Sequence, residues 1–233
     1  MSVIASSLRA NIDRVQSAIA EAAIRAGRAP GEVELIAVSK TRSAEEVAEA
    51  AAQGLRRFGE NRVQEAAEKI PAAAQLAGSD LEWHLIGHLQ RNKVRAALPL
   101  FSLIESIDNL KLAETIDQRA EQPVAVLLEV YVGDDPRRPG FRPTELREQI
   151  SVLAGLARLE IRGLMTVAPL GLDEAGTRAA FGRVRELRDE LRAQQKGLAL
   201  SELSMGMSED YPLAIAEGAT IVRVGRAIFG ARS

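Results

Sequence analysis

The chain has no cysteine among its 233 residues, which excludes a disulfide framework and a thiolate metal site. That absence fits a reducing compartment. No apolar run approaches the ~18 residues of a membrane-spanning helix. The opening Met-Ser-Val-Ile-Ala-Ser-Ser lacks both a basic leader and a long apolar core, so no signal peptide and a cytoplasmic location are expected. Neither sign of charge dominates: the formal net charge is -2, without the basic footprint a nucleic-acid partner leaves. His84 and His88 are the only histidines, outside any His-Glu-x-x-His motif, and no metal is expected. There is no Pro/Gly/Ser-rich linker and no internal repeat, so residues 1–233 are expected to form one domain.

What is present alternates. Apolar residues make up 46% and charged residues 27%, as in ordinary globular proteins. An opening helix is predicted over Val3–Ala26, with Ile4, Leu8, Ile12, Val15, Ile19 and Ala22 at helical spacing and Gly27 as its stop. Short apolar runs then predict strands at Val33–Ser39, Arg56–Glu60, Trp83–Gly87, Leu103–Ser106, Val124–Val130, Ile161–Val167, Ala199–Ser204 and Ile221–Gly225. Amphipathic stretches between them predict helices at Ala44–Ala52, Arg62–Lys69, Leu89–Ala97, Asn109–Arg119, Pro143–Leu156, Asp173–Gln195 and Glu209–Glu217. Several strands are apolar on both faces, as parallel strands covered by helices are. Eight strand–helix pairs describe an α/β (β/α)₈ TIM barrel with an extra N-terminal helix; an open doubly wound sheet is the alternative.

Candidate chemistry sits at strand ends. In Leu35-Ile-Ala-Val-Ser-Lys40-Thr-Arg42 an apolar strand stops at one lysine. Desolvation there favours a neutral amine, suited to a Schiff base with a carbonyl compound. The plain alternative is a surface lysine opening a loop. Ser204-Met-Gly206-Met-Ser208 follows the seventh strand, and Gly225-Arg226 leads from the eighth into a short helix, Ala227–Phe229. Barrels often bind phosphate at these two loops, through free N–H groups at a helix start. The alternative is two ordinary turns, with Ser208 capping the next helix. Arg223 lies within the apolar eighth strand, where a guanidinium needs an acceptor. Either an internal Asp or Glu meets it, or a ligand does.

Together these pieces resemble the pyridoxal 5′-phosphate site of alanine-racemase-type barrels. More narrowly, the chain resembles the pyridoxal phosphate homeostasis proteins, once called proline synthase co-transcribed homologues. The resemblance rests on Ala37-Val-Ser-Lys40-Thr41, Phe58-Gly-Glu-Asn61, Trp83-His-Leu-Ile-Gly-His-Leu-Gln90, Gly163-Leu-Met-Thr166, Leu203-Ser-Met-Gly-Met-Ser208 and Val222-Arg-Val-Gly225 with Ala227-Ile-Phe-Gly230. It implies that Lys40 forms the Schiff base with the cofactor. It implies that Ser204, Gly225 and Arg226 hold the phosphate, the last two through backbone N–H groups. Arg223 then faces the pyridine nitrogen and Asn61 is a cofactor neighbour. One departure is Tyr131, where the family often has asparagine, followed by an atypical loop over Val132–Phe141.

The arginine bears on mechanism. Most amino-acid chemistry on this cofactor places an acidic residue at the ring nitrogen, whereas arginine is a pure donor. Only three residues follow Gly230, so no second domain closing the site is expected. The resulting expectation is a reversible carrier of pyridoxal phosphate and other B6 vitamers that serves apo-enzymes with little or no turnover. A slow amino-acid racemase or other amino-acid lyase, with Lys40 as its base, is the first alternative. A phosphosugar barrel independent of the cofactor is the second. A monomer is expected.

Overall fold

The structure, a computed structural model, describes residues 3–230, with side chains described from Ser7 onward. Eight parallel strands close into a barrel in sequence order: β1 (Glu34–Val38), β2 (Arg57–Glu60), β3 (Glu82–Leu85), β4 (Leu103–Ile107), β5 (Val124–Glu129), β6 (Leu159–Met165), β7 (Glu202–Ser204) and β8 (Ile221–Val224). Closure is made by β1 on β8, with Ile36 opposite Arg223 and Ala37 opposite Val224. The helices are α1 (Val3–Arg25), α2 (Ala44–Ala52), α3 (Val63–Ala77), α4 (Val94–Ala97), α5 (Leu110–Arg119), α6 (Pro143–Ala154), α7 (Glu174–Gln194), α8 (Tyr211–Ala216) and α9 (Arg226–Phe229). The (β/α)₈ barrel with a preceding helix is therefore the fold.

Two apolar cores follow from the period-two alternation of the strands. A small one fills the barrel with Ile36, Leu103, Ala125, Leu127, Met165 and Ile221. A larger one lies between sheet and helices, and α1 joins it through Leu8, Ile12, Val15, Ile19 and Ala22. Ile4, expected on the same stripe, lies outside the described side chains. Between β6 and β7 the backbones approach so closely that a Cβ on Gly163 would stand 1.9 Å from the Glu202 carbonyl oxygen.

Element ends differ from expectation where local chemistry intervenes. The helix expected to stop at Lys69 runs on through Pro71 to Ala77. Proline cannot donate to the Ala67 carbonyl four residues back. Ala67 and Pro71 both face solvent, so the helix carries its proline on the exposed side. The seventh strand begins at Glu202 rather than Ala199, because Leu200 takes a left-handed φ of 42° that breaks the extended run. The helix expected from Leu89 is instead a 3₁₀ turn at Arg91–Lys93 leading into α4.

α2 starts with a reciprocal cap beside Lys40. The Ser43 hydroxyl accepts from the Glu46 N–H at 3.3 Å, and the Ser43 N–H donates to the Glu46 carboxylate at 2.8 Å. Ser43→Ala is expected to lower the unfolding free energy by about 1 kcal/mol. Urea unfolding would register it as an earlier midpoint with unchanged slope.

Candidate functional site

The strands end together at one mouth of the barrel, where a cavity of about 980 Å³ opens. Its wall includes Lys40, Asn61, Ser208, Arg223, Gly225 and Arg226. The loops after β1 and β2, with β8 and the turn that follows it, thus bring five of the six expected site residues to one cavity. Ser204 is the exception: it is fully buried and lies beneath the cavity rather than on its wall.

Ser204 belongs to a polar chain that crosses the barrel interior. The Arg223 Nη1 donates to the Ser204 hydroxyl at 2.5 Å, and Nη2 donates to the Thr166 carbonyl at 2.7 Å. The Ser204 hydroxyl donates to Glu105 Oε2 at 2.5 Å, and the other Glu105 oxygen meets His84 Nδ1 at 2.7 Å. Arg223 also lies 3.7 Å from Glu105 Oε2. The internal acid that Arg223 required is therefore Glu105, on β4. Burial works to raise the Glu105 pKa, but the His84 hydrogen bond and the charges of His84 and Arg223 hold it below the usual carboxylate value. Burial lowers the Arg223 pKa, opposed by the charges of Glu105, Glu129 and Asp210. This guanidinium is pinned on several sides yet still lines the cavity, so its orientation toward a ligand is set in advance.

The turn after β7 departs from the expected cap. Asp210, not Ser208, stands at the N-cap of α8, and its carboxylate accepts from the Met207 N–H at 2.6 Å. Ser208 turns the other way, its hydroxyl 3.5 Å from the Ala227 N–H in the first turn of α9. Gly206, at φ 94°, allows that turn: a Cβ there would stand 2.8 Å from the Tyr211 Cα. Gly225 runs close to β1, where a Cβ would lie 3.2 Å from the Val38 carbonyl oxygen. The Arg226 side chain donates to Glu209 on the cavity rim, and both side chains are largely exposed. Behind Asn61, Gly87 leaves room for no side chain: a Cβ would stand 2.4 Å from the Asn61 carbonyl oxygen.

The remaining candidates serve other parts. His84 is a buried partner of Glu105. His88 is half-exposed and meets Asp108 Oδ2 at 2.8 Å. Glu129, at the inward end of β5, has its carboxyl pushed up to about 7 by burial and by the nearby Asp108 charge. Tyr131 is buried and organises its own loop rather than the cavity: the Arg142 guanidinium lies 4.7 Å from its ring centroid and that of Arg138 5.9 Å. A Cβ on Gly133 would stand 2.4 Å from the Tyr131 hydroxyl, which fixes how the loop folds back. Met165 and Met205 are core residues, while Met207 is at the cavity rim.

Sequence reasoning missed Glu105, Thr166 and Ser208 as parts of this arrangement. Glu105 carried a signal: an acid inside Leu103-Ile-Glu-Ser-Ile107 is as conspicuous as Arg223 inside its own apolar strand.

Comparison with known proteins agrees with the geometry. The family model described as alanine racemase, N-terminal domain, matches residues 5–233. The pyridoxal phosphate homeostasis protein of Pseudomonas aeruginosa is 43% identical over 230 residues, covering 97% of this chain and 96% of that one. The Escherichia coli protein of the same name is 40% identical, covering 95% of each. Among solved structures, PipY of Synechococcus elongatus with pyridoxal phosphate bound superposes with a TM-score of 0.82 at 46% identity, covering 91% of this chain and all of that one. Alanine racemase of Corynebacterium glutamicum, at 19% identity and a TM-score of 0.72, covers 98% of this chain but 61% of its own, and shares the fold. By sequence and by architecture, the chain belongs to the alanine racemase N-terminal domain family and, within it, to the pyridoxal phosphate homeostasis proteins.

Proposed function

We propose that this protein binds pyridoxal 5′-phosphate reversibly through Lys40 and acts in its homeostasis, holding and releasing the cofactor with little or no turnover. The observation that carries this reading is the cavity wall itself, where Lys40, Asn61, Ser208, Gly225 and Arg223 meet. That donor set fits the group: a primary amine, a hydroxyl beside backbone N–H groups for an anion, and a guanidinium held from behind. When bound, the cofactor supplies an aldehyde that condenses reversibly with a primary amine and absorbs visible light.

Each residue has a distinct task. Lys40 provides the amine. Ser208 and the backbone at Gly225 and Arg226 receive the phosphate, Ser208 taking the hydroxyl role that the resemblance implied for Ser204. Ser204 instead supports the cofactor indirectly, by holding Arg223. Arg223 presents donors only, so a ring nitrogen facing it stays unprotonated and the ring is a weak electron sink. That favours storage over carbanion chemistry. We assign the role to the cytoplasm, with apo-enzymes as recipients and other B6 vitamers as further ligands, and to a monomer.

The test is the visible spectrum of the protein and of Lys40→Ala, before and after addition of pyridoxal phosphate. The parent is expected to gain a yellow band that borohydride removes, and the variant to gain none. Loaded protein is expected to activate an apo-enzyme stoichiometrically. Brisk amino-acid turnover that depends on Lys40 would replace the carrier with a racemase, and a parent that stays colourless would end both readings.

A further inference from the structure

The two residues flanking Lys40 are tied down by groups from a different part of the chain. Ser39 is fully buried and Lys69, on α3, is 7% exposed. Lys69 Nζ donates three hydrogen bonds: to the Ser39 carbonyl at 2.8 Å, to Glu60 Oε1 at 2.7 Å and to Glu65 Oε1 at 2.8 Å. The same Glu60 oxygen accepts from the Ser39 hydroxyl at 2.6 Å, and the same Glu65 oxygen accepts from the Thr41 N–H at 2.6 Å. A buried ammonium thus grips the residue before Lys40 by its carbonyl, and through Glu65 the residue after it by its amide.

Thr41 shows what the grip holds. Its φ is 65°, a left-handed conformation in a β-branched residue. Such a conformation is unfavourable for an L side chain and persists where the surroundings over-determine it. The Glu65 carboxylate is the acceptor that meets the Thr41 amide in this conformation. The Glu65 carboxyl lies below its ordinary value: burial works to raise it, but hydrogen bonds from Lys69 and the Thr41 backbone and the charges of Lys69 and Arg62 prevail.

We infer that Lys69, Glu65 and Glu60 form a positioning clamp that fixes the direction in which Lys40 leaves the barrel wall, and so the rate at which its amine meets an aldehyde in the cavity. The inference rests on the proposed binding of pyridoxal phosphate. None of the three residues lines the cavity, so they act through Lys40 and not on the ligand. The reaction they govern is a condensation: the neutral Lys40 nitrogen forms a double bond to the aldehyde carbon in place of the carbon–oxygen bond, and the oxygen leaves as water with the two amine hydrogens.

Glu65 is the place to test it, because its side chain is partly exposed at 26% and the buried Lys69–Glu60 pair survives its removal. Glu65→Ala and Glu65→Gln are compared with the parent in three measurements: growth of the visible band on adding pyridoxal phosphate, hydrogen exchange at the Thr41 amide, and melting temperature. Glu65→Ala is expected to react about tenfold more slowly, in line with the sensitivity of such reactions to small misplacements. Its Thr41 amide is expected to lose protection while the melting temperature falls by no more than about 4 °C. Glu65→Gln keeps an oxygen acceptor for both Thr41 and Lys69, and is expected to recover most of the rate and the protection. A yellow parent alongside a Glu65→Ala variant that reacts equally fast overturns the clamp alone. Equal slowing in Glu65→Ala and Glu65→Gln overturns it too, since the acceptor would then be irrelevant. A parent that never forms the band removes the binding reading itself, whatever Thr41 does.

Discussion

Arg223→Met is expected to destabilise the barrel by about 3 kcal/mol at neutral pH, the lower end for breaking a buried ion pair, because His84 remains a partner of Glu105. For a chain of this size that amounts to a melting temperature lower by roughly 10 °C. Methionine fills similar space, so the loss arises from Glu105 left without its guanidinium neighbour and from a Ser204 hydroxyl left without its donor. The penalty depends on pH in a definite direction. The folded pKa of Glu105 is lowered, so its contribution is complete above the ordinary value of 4.5 and is lost as the pH falls through the lower folded value. Replacing both members, as Glu105→Leu with Arg223→Met, is expected to be milder than the sum of the single changes, because no unpaired charge remains. Thermal denaturation of the four proteins in the cycle checks this. Strictly additive losses would show that the crossing chain is not a coupled unit.

Glu129→Gln is expected to act in the opposite direction, stabilising the cofactor-free protein by about 2 kcal/mol above neutral pH, once part of the shift is discounted for solvent screening. Burial and the Asp108 charge push the Glu129 carboxyl up to about 7, against an ordinary 4.5. Between those values the folded state holds a proton that the unfolded chain has released. Stability from this group is therefore full below about 4.5 and falls as the pH rises to about 7. Glutamine has the shape of the neutral acid and does not ionise. Parent and variant are expected to unfold at the same urea concentration near about pH 4 and to separate progressively toward about pH 8. A separation that stays constant with pH would mean that Glu129 is not the titrating group.

Much of the architecture was legible because the strands announce themselves. Val124–Leu128 is an unbroken apolar run, and Leu103–Ile107 is followed by an amphipathic helix capped by Asn109. Lys40 and Arg223 were legible for a related reason, as single charges within apolar runs. What stayed hidden depends on which strands face each other across the interior. Nothing along the chain says that Glu105 on β4 reaches Ser204 on β7, since that contact needs the closed barrel. Ser208 was read as a cap because serine before a helix usually is one, and Asp210 two residues later won the position. Lys69 was hidden more deeply. In sequence it is one more lysine on an alanine-rich helix, and only the packing of α3 beneath β1 and β2 turns it inward.

The pairing of β1 with β8 has a temporal consequence. The amine of Lys40 follows β1, whereas Arg223 and the Gly225 turn belong to β8, so the pocket straddles the line along which the cylinder zips shut. A nascent chain carries its lysine from early in synthesis, yet it lacks the guanidinium and the anion-binding turn until the last strand docks. That contact spans nearly the whole polypeptide, the kind that forms late because the longest loop must close first. Under the proposed function, capture of the vitamin is expected to be coupled to completion of the fold, with bound cofactor bridging the first strand and the last.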